Sequence, residues 1–559
     1  MSKYSSKTAK QGVQLVKRKK KRTLAFYAFA LSGAAALMYE VIWTRELSLL
    51  FGSSVYAVST MLTAFMAGLT LGAYIGGRIA DRAKNLFFVF GLLEFGIGIF
   101  GLITFPLINF ISPVYFYIYN FFHQNFYLFF LAQFTLAFMF MLIPTSLMGA
   151  TFPVVSKIET RRLEELGEDV GSVYSINTLG SIIGSFSAGF LIIPAIGVKN
   201  ATLVAAGLNI AVALIMLVLS RKSTSYLLGV LSLFSVLVAV MYIVPEDYFP
   251  FSFYHVHRYK TYDQYLEQKK QIKPVFIKDG LYGRVAVMQD SYGDYFLAND
   301  GKIEGSTVIT DQKTTSLLAH LPLSYAPRKD KVLIIGLGTG QTLREVLRHS
   351  EVREVICVEI NPDILQAAAY FVPEEILEDP RVRFVIADGR HYLKLTKETF
   401  DVISSEPSYP YSQGVSQLFT YEFYQLVEKH LEPDGIFCQW IPLYLLSGNE
   451  FFSMIKTFGA VYPYFDVWHA TIPNLPPGKI PLDGDAVFIG GKMPLKNVET
   501  IKKKTLQLMP LKEDFSFLGN QVLFYRYLND PGISLITDDL NILEFRAPFN
   551  HIVGTSSSL

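Results

Sequence analysis

Gly336, Gly338 and Gly340 alternate within KVLIIGLGTGQTLREVL, the stretch that begins at Lys331, and Thr339 stands between the last two. An apolar run ends in these glycines and a helical pattern follows. The missing side chains let a ligand come close to the backbone there. Glu359 closes the next apolar run, EVICVE, about 20 residues further on, where an acid can bind ribose hydroxyls. Ala387, Asp388 and Gly389 close a third run and put Asp388 beside the base of a nucleoside. Glycine turn, acid, then Asp-Gly, in that order, describe a nucleoside pocket. The spacing is GxGxG, and no arginine follows to grip a 2′-phosphate. It suits a sulfonium nucleoside of the S-adenosylmethionine kind better than NAD. Glu406 ends a fourth run, FDVISSEP, where a substrate would arrive. A carboxylate there can serve as general base, or it can simply close a salt bridge.

These residues need a scaffold that brings strand ends together. From Lys331 the rhythm is strand, helix, strand through KVLIIG, TLREVLRH, EVICVEI, PDILQAAAYF, VRFVIAD, FDVISSEP, YEFYQLVEKHL and GIFCQWI. Such alternation implies a parallel sheet covered by helices, with ligands at the carboxyl ends of the strands. Residues 280–310 instead alternate polar and apolar with frequent turns, the pattern of short antiparallel strands. The fold expected is therefore a multi-span α-helical membrane domain followed by an α/β Rossmann-like domain of the class I methyltransferase type, with a small N-terminal β subdomain. The expected divisions are a basic tail at 1–22, about seven membrane helices over 23–245, the β subdomain at 246–325, the nucleoside-binding domain at 326–500 and an extension at 501–559.

The chain has 559 residues, 51% of them hydrophobic, and the excess lies between Leu24 and about Val244. Net charge is +2, and beyond the N-terminal tail no basic face suggests a nucleic-acid partner. The two cysteines, Cys357 and Cys438, lie in apolar runs and lack metal-site spacing, so they read as core residues, and no metal is expected.

A spanning helix needs about 20 mostly apolar residues. Qualifying segments start near Leu24, Val55, Leu86, Phe126, Val170, Ala201 and Tyr226. The run KRKKKR, Lys17 to Arg22, abuts the first and should stay cytoplasmic. RIADRAK, SKIETRR and the pair Arg221–Lys222 then alternate as further cytoplasmic loops of a multi-pass cell (inner) membrane protein. Seven spans would leave the C-terminal half outside, whereas a nucleoside cosubstrate argues for the cytoplasm. Three crossings between Leu86 and Val155, rather than two, would reconcile them, and the sequence leaves the side open. Gly68, Gly72 and Gly76, like Gly180 and Gly184, recur at the spacing of close helix contact. Glu40, Arg45, Glu46 and Glu94 are ionisable groups within or near spans; Arg45 reads as the partner of Glu40 or Glu46.

From about Gly280 to Lys492 the chain resembles the polyamine aminopropyltransferases, the spermidine and spermine synthases. The resemblance rests on NDGKIE, LLAHLPL, KVLIIGLGTGQTLREVLRH, VEINPDI, DPRVRFVIADGR, LFTYEFYQLVEKHLEPDGIF and VFIGG. MYEVIWTREL and NTLGSIIGSFSAGF in the spans, and TDDLNILEFRAP near the end, extend it to the membrane-fused branch of that family. It implies transfer of an aminopropyl group from decarboxylated S-adenosylmethionine, a cosubstrate and no permanently bound cofactor, to an amine such as putrescine. It also implies that Glu359 holds the ribose and Asp388 the adenine amino group. Asp300 to Glu304 would form the inner wall, with Glu304 in place of the family's glutamine. Soluble relatives pair or form tetramers, which leaves a homo-oligomer open here.

The acceptor side departs from the family pattern. Thr339 replaces the aspartate of the family's GGGDG turn. In SEPSYP, Glu406 aligns with the expected base, while Tyr409 replaces a second aspartate, and Thr314 stands at the family's tyrosine. Tyr409, Tyr411 and Thr314 are the residues expected around an acceptor. Threonine at the turn would tolerate a carboxylate on the donor, so intact S-adenosylmethionine remains an alternative, with methyl or aminocarboxypropyl transfer to a membrane-delivered acceptor. A non-catalytic nucleoside sensor on a transporter-like bundle is the third reading. Arg390 reads as a loop ion pair, Asp538 as a turn residue and His320 as a satisfied helix residue.

Overall fold

Long apolar runs interrupted by asparagine and serine caps build the first half of the chain. A computed structural model describes residues 2–553 except 53, 161, 222–223, 244–251, 256–257, 413, 471–474, 476–480 and 511–514. Arg161, Lys222 and the expected boundary at 245–246 lie outside the described residues. Helices α1 (Ser2–Phe51), α2 (Val55–Arg82), α3 (Leu86–Phe122) and α4 (Phe126–Glu159) come first. Ser54, Asn85 and Asn125 cap the last three, each side-chain oxygen accepting a backbone N–H of the first turn. Then follow α5 (Leu166–Ser187), a π-helical turn Ala188–Ile192, α6 (Ile193–Leu219) and α7 (Thr224–Ile243). Among the described residues, six helical segments are long and apolar enough to cross a membrane, the fifth being the continuous Leu166–Leu219.

The run from Leu86 to Val155 forms two helices, not three. Its length goes elsewhere: α3 has 37 residues, about 55 Å of helix, against a hydrocarbon core of about 30 Å. The surplus of α3 reaches the C-terminal half, where Phe116 packs on Tyr262 and Tyr119 meets the carbonyl of Ile552.

Glycine contacts fix the helix directions. A Cβ on Gly68, Gly72 or Gly76 would collide with Thr145, Ser146 or Ala150, so α2 and α4 run parallel. Gly180 and Gly184 meet Ala30 and Ala34 in the same way, which makes α5 parallel to α1. Ser32 bonds Glu94 and Trp43 bonds Thr104, so α3 is parallel to α1 as well. Gly91 faces Ala213 while Gly98 faces Asn209, so α6 runs the other way. The chain therefore reverses at Gly197, whose φ of 77° and ψ of 166° break the helix. Glu94 is fully buried between α1 and α6, its oxygens accepting from Ser32 Oγ at 2.5 Å and Asn209 Nδ2 at 2.7 Å.

In the second half β1 (Lys273–Gly280), β2 (Gly283–Gln289), β3 (Tyr295–Asn299) and β4 (Lys302–Ser306) form an antiparallel sheet in sequential order. The larger sheet is built from β5 (Lys331–Ile335), β6 (Glu354–Glu359), β7 (Val382–Ile386), β8 (Phe400–Ser405), β9 (Leu431–Pro442), β10 (Tyr464–His469), β11 (Asp485–Gly491) and β12 (Ser516–Asn520). Their order is β12-β10-β11-β9-β8-β5-β6-β7, parallel from β9 to β7 and antiparallel beyond β9. Runs such as VLII and VICV are apolar throughout because both faces of the sheet are covered; Val332, Leu333, Val355 and Cys357 are fully buried. From β5 the chain winds first through β6 and β7, then returns to place β8 on the other side of β5. That reversal opens a crevice at the carboxyl ends of β5 and β8.

The two halves meet at one end of the bundle. Arg284 of β2 bonds Glu46 of α1 at 2.9 Å and Asp279 at 2.7 Å, both pairs almost wholly buried. Arg45 does not pair with Glu40 or Glu46; its guanidinium donates to the carbonyl of Gly280 at 2.7 Å. The amide of Val198, just past the reversal, donates to Asp279 at 3.0 Å.

Candidate active site

A cavity of about 580 Å³ opens at the switch between β5 and β8. One wall is the glycine turn. Gly336, Gly338 and Gly340 hold φ of 94°, 50° and 75°, conformations that cost an L-residue with a side chain. At Gly336 a Cβ would also press on the carbonyl of Glu406 at 2.6 Å, so the turn lies directly against the end of β8. Glu359, at the end of β6, accepts the amides of Leu337 and Asn361, one on each oxygen, both at 2.9 Å. Burial pushes its carboxyl above the ordinary range while these amides pull it back. The Gly338 amide also leans on this carboxylate, which leaves it room for a further donor. Asp388 caps the helix Gly389–Leu395, accepting the His391 amide at 2.7 Å, and both Asp388 and Gly389 line the cavity.

The rest of the lining is made of side chains from scattered elements. Glu406 is half-buried, with one oxygen accepting from Thr342 Oγ1 at 2.8 Å. Burial raises its pKa to about 7, and nearby Asp485, Asp311 and Glu304 push in the same direction. Asp485, the first residue of β11, accepts from Thr314 Oγ1 at 2.8 Å and Trp440 Nε1 at 3.1 Å. Its pKa rises to about 6, again through burial. Asp311, in the first turn of the helix Ile309–Tyr325, accepts from Ser306 Oγ at 2.6 Å, and burial raises it too. Lys302 is buried at the start of β4; its ammonium bonds Glu304 Oε2 and Ser408 Oγ, both at 2.5 Å, and lies 3.6 Å from the ring centre of Tyr409. Burial lowers the lysine's pKa and lifts the Tyr409 hydroxyl to about 12. Three half-buried carboxyls with raised pKa values around one cavity are what a cationic ligand would relieve.

Of the residues expected from sequence, Gly336, Gly338, Thr339, Glu359, Asp388, Gly389, Glu304, Glu406, Tyr409 and Thr314 line this cavity. Three do not, and each departure has a cause. Asp300, expected on the inner wall, sits at φ 46° and accepts the Arg284 amide at 2.8 Å, turned toward the seam with the bundle; Asn299 lines the cavity instead. Tyr411, expected at the acceptor, is buried with its ring against Phe253 and His551. Gly340 lies behind the turn as the N-cap of the helix Gln341–Leu347, and shapes the bend without facing the cavity. Arg390 forms a two-pronged ion pair with Asp538 at 2.8 and 2.5 Å, which ties the C-terminal segment to the helix after β7. His320 is buried between His349 and Glu345. Sequence reasoning missed Asp311 and Asp485, and included Lys302 only within the stretch Asp300 to Glu304; the acid that opens the apolar strand in DAVFIGG is by itself an ordinary water-facing strand end.

Sheet order and crevice define a methyltransferase-like α/β domain joined to an apolar helical bundle. The family described as Spermine/spermidine synthase domain matches residues 312–482. The polyamine aminopropyltransferase of Oceanobacillus iheyensis is 24% identical over 463 residues, 81% of this chain and 84% of that protein. That match is longer than everything beyond residue 245, so it runs into the helical half. The polyamine aminopropyltransferase of Buchnera aphidicola subsp. Schizaphis graminum is 30% identical over 39% of this chain and 74% of its own length. Among solved structures, spermidine synthase from Thermotoga maritima shares 24% identity over 46% of this chain and 85% of that one, with a TM-score of 0.36. The chain belongs to the spermine/spermidine synthase family and is a transferase of the aminopropyltransferase type.

Proposed function

We propose that the protein transfers an aminopropyl group from decarboxylated S-adenosylmethionine to a small amine such as putrescine, from a domain anchored in the cell membrane with its N-terminal tail in the cytoplasm. The observation that carries this reading is the pairing of Glu406 with the glycine turn: a half-buried carboxyl that lines the cavity, with its pKa raised to about 7, and whose backbone touches Gly336. Glu359 and Asp388 would hold the ribose and the adenine, which sets the sulfonium between the turn and Glu406. The acceptor nitrogen attacks the carbon beside sulfur. A C–N bond forms as the C–S bond breaks, its electron pair goes to sulfur, and neutral methylthioadenosine leaves. An amine's pKa near 10 means that a proton must be removed, and a carboxyl near 7 is a better match for that task than one near 4. Asp311 and Asp485 supply the acceptor-side negative charge that Thr339 and Tyr409 do not.

One observation favours a second reading. Thr339 lines the cavity and carries no charge, so nothing on the turn repels a donor that keeps its carboxylate. Product analysis with labelled donors tests both on the full chain in detergent. Label passing from the decarboxylated donor into an aminopropylated amine is the expected result. A methylated or aminocarboxypropylated product from intact S-adenosylmethionine replaces it with the second reading, and binding without turnover of either overturns both.

A further inference from the structure

We propose that the transferase half lies on the membrane face opposite the basic loops, so that donor and acceptor reach the cavity from the non-cytoplasmic side. Hydrogen bonds collect the basic segments at one end of the bundle. Lys21 bonds the carbonyl of Leu219, and Arg22 pairs with Glu159. Lys157 bonds Ala80 and Asp81, while Asn85 bonds Ser220. The part of α1 around Lys21 and Arg22, the α2–α3 turn and the ends of α4 and α6 therefore share one level, and beside it in the sequence lie KRKKKR, Arg78, Arg82, Lys84, Lys157, Arg162 and Arg221.

The other level holds the α1–α2 turn, the α3–α4 turn and the reversal at Gly197. Across the connecting residues 52–54, 123–125 and 197–199, Lys199 is the sole lysine or arginine. Lysine and arginine in short loops stay on the cytoplasmic side, so this level faces away from it. The second half docks here: Arg45 meets Gly280, Glu46 meets Arg284, Val198 meets Asp279, and Phe126 packs on Phe549 at 5.0 Å. Because Gly197 turns the fifth apolar segment back on itself, the chain makes seven crossings. An odd count carries the transferase half across from the tail, in agreement with where it docks. The buried Arg284–Glu46 pair holds it there, since separating the halves would strand a charge. A sulfonium nucleoside and an amine, both cations, must then be supplied on that side by a step that moves or releases them across the membrane. The placement rests on the helical half and not on turnover; failure of the transfer assay leaves it standing.

The test uses the full chain in a bacterial inner membrane. Native Cys357 and Cys438 are buried and free. Y292C places a thiol on the exposed β2–β3 turn, where Tyr292 is 87% exposed, and K84C places one between α2 and α3. In right-side-out spheroplasts a membrane-impermeant maleimide should label Y292C, and should label K84C only after lysis. Labelling of K84C in intact spheroplasts, or of Y292C only after lysis, overturns the proposal. Independently, alkaline phosphatase fused after Leu559 should be active and a green fluorescent protein fused there dark; the reverse pair overturns it as well.

Discussion

The two walls of the cavity are built by different means. The glycine-turn wall is local: β5 and its bend, one acid at the end of β6, and a cap after β7. Its polar groups are tied to backbone amides, as Glu359 is to Leu337 and Asn361. The carboxylate wall is assembled from β4, the helix Ile309–Tyr325, β8, β9 and β11, residues far apart in sequence, and its groups are tied to other side chains. A wall made of backbone is insensitive to most substitutions, whereas a wall made of side chains can exchange its members. Here the acids of that wall are Glu406, Asp311 and Asp485, with Tyr409 uncharged among them.

If chemistry belongs to the carboxylate wall and binding to the turn, Glu406→Gln should separate them most sharply. Removing a general base costs about 10²–10⁴-fold in rate, so kcat should fall by that much while donor affinity, read by calorimetry, stays within about twofold. For the unsubstituted protein, kcat/KM should fall as pH drops below about 7, because the base must be ionised and Glu406 has a pKa of about 7. The sign reverses for stability. A carboxyl raised by burial favours folding while protonated, and that contribution is lost as pH rises from the unfolded value through about 7. Glu406→Gln should therefore be the more stable protein at pH 8, by up to about 3 kcal/mol in denaturant titration. A pH profile flat between 6 and 8 would remove Glu406 from the chemistry.

The turn wall was legible in the sequence because its logic is local: Gly336, Glu359 and Asp388 each follow an apolar strand at a spacing that the parallel sheet imposes. Glu406 was legible for the same reason. Asp311 and Asp485 were not, since an acid in a helical first turn or at the head of a strand ordinarily faces water, and only the closure of β11 against β9 puts Asp485 beside Trp440 and Thr314. Asp300 misled because it stands in NDGKIE beside residues that do line the cavity; its left-handed backbone turns it toward Arg284 instead. In the bundle, the glycine spacing foretold the close α2–α4 and α1–α5 contacts. The two spans starting near Leu86 and Phe126 were legible as well; the third crossing weighed for Leu86–Val155 is not there, because α3 is longer than one span needs and reaches Tyr262 and Ile552.

A substitution in the turn wall should produce the converse of the Glu406 result. Glu359→Ala removes the acceptor of two buried amides as well as the expected ribose ligand, and hydrogen bonds to a charged group are worth about 1.5–3 kcal/mol each. Donor affinity should fall at least tenfold and the melting temperature should drop. Glu359→Gln retains one acceptor oxygen and should recover stability more than affinity. Unchanged affinity for every sulfonium nucleoside in both variants would show that the turn does not hold one.

The smallest effect distinguishes two roles within the carboxylate wall itself. Asp485 lines the cavity, is linked to Thr314 and Trp440 and, among the described residues, makes no hydrogen bond to the turn, so its loss should be felt by the acceptor alone. Asp485→Asn keeps shape and one oxygen acceptor but removes the charge that a substrate ammonium would meet. At intermediate dielectric such a contact is worth about 1–4 kcal/mol, part of which returns because an uncharged amide is cheaper to bury. The acceptor KM should rise about tenfold with kcat and donor affinity little changed. A fall in kcat at constant KM would instead make Asp485 a group that tunes Glu406, through the repulsion that helps hold the base near 7. Its signature would be a pH profile displaced to lower pH in Asp485→Asn.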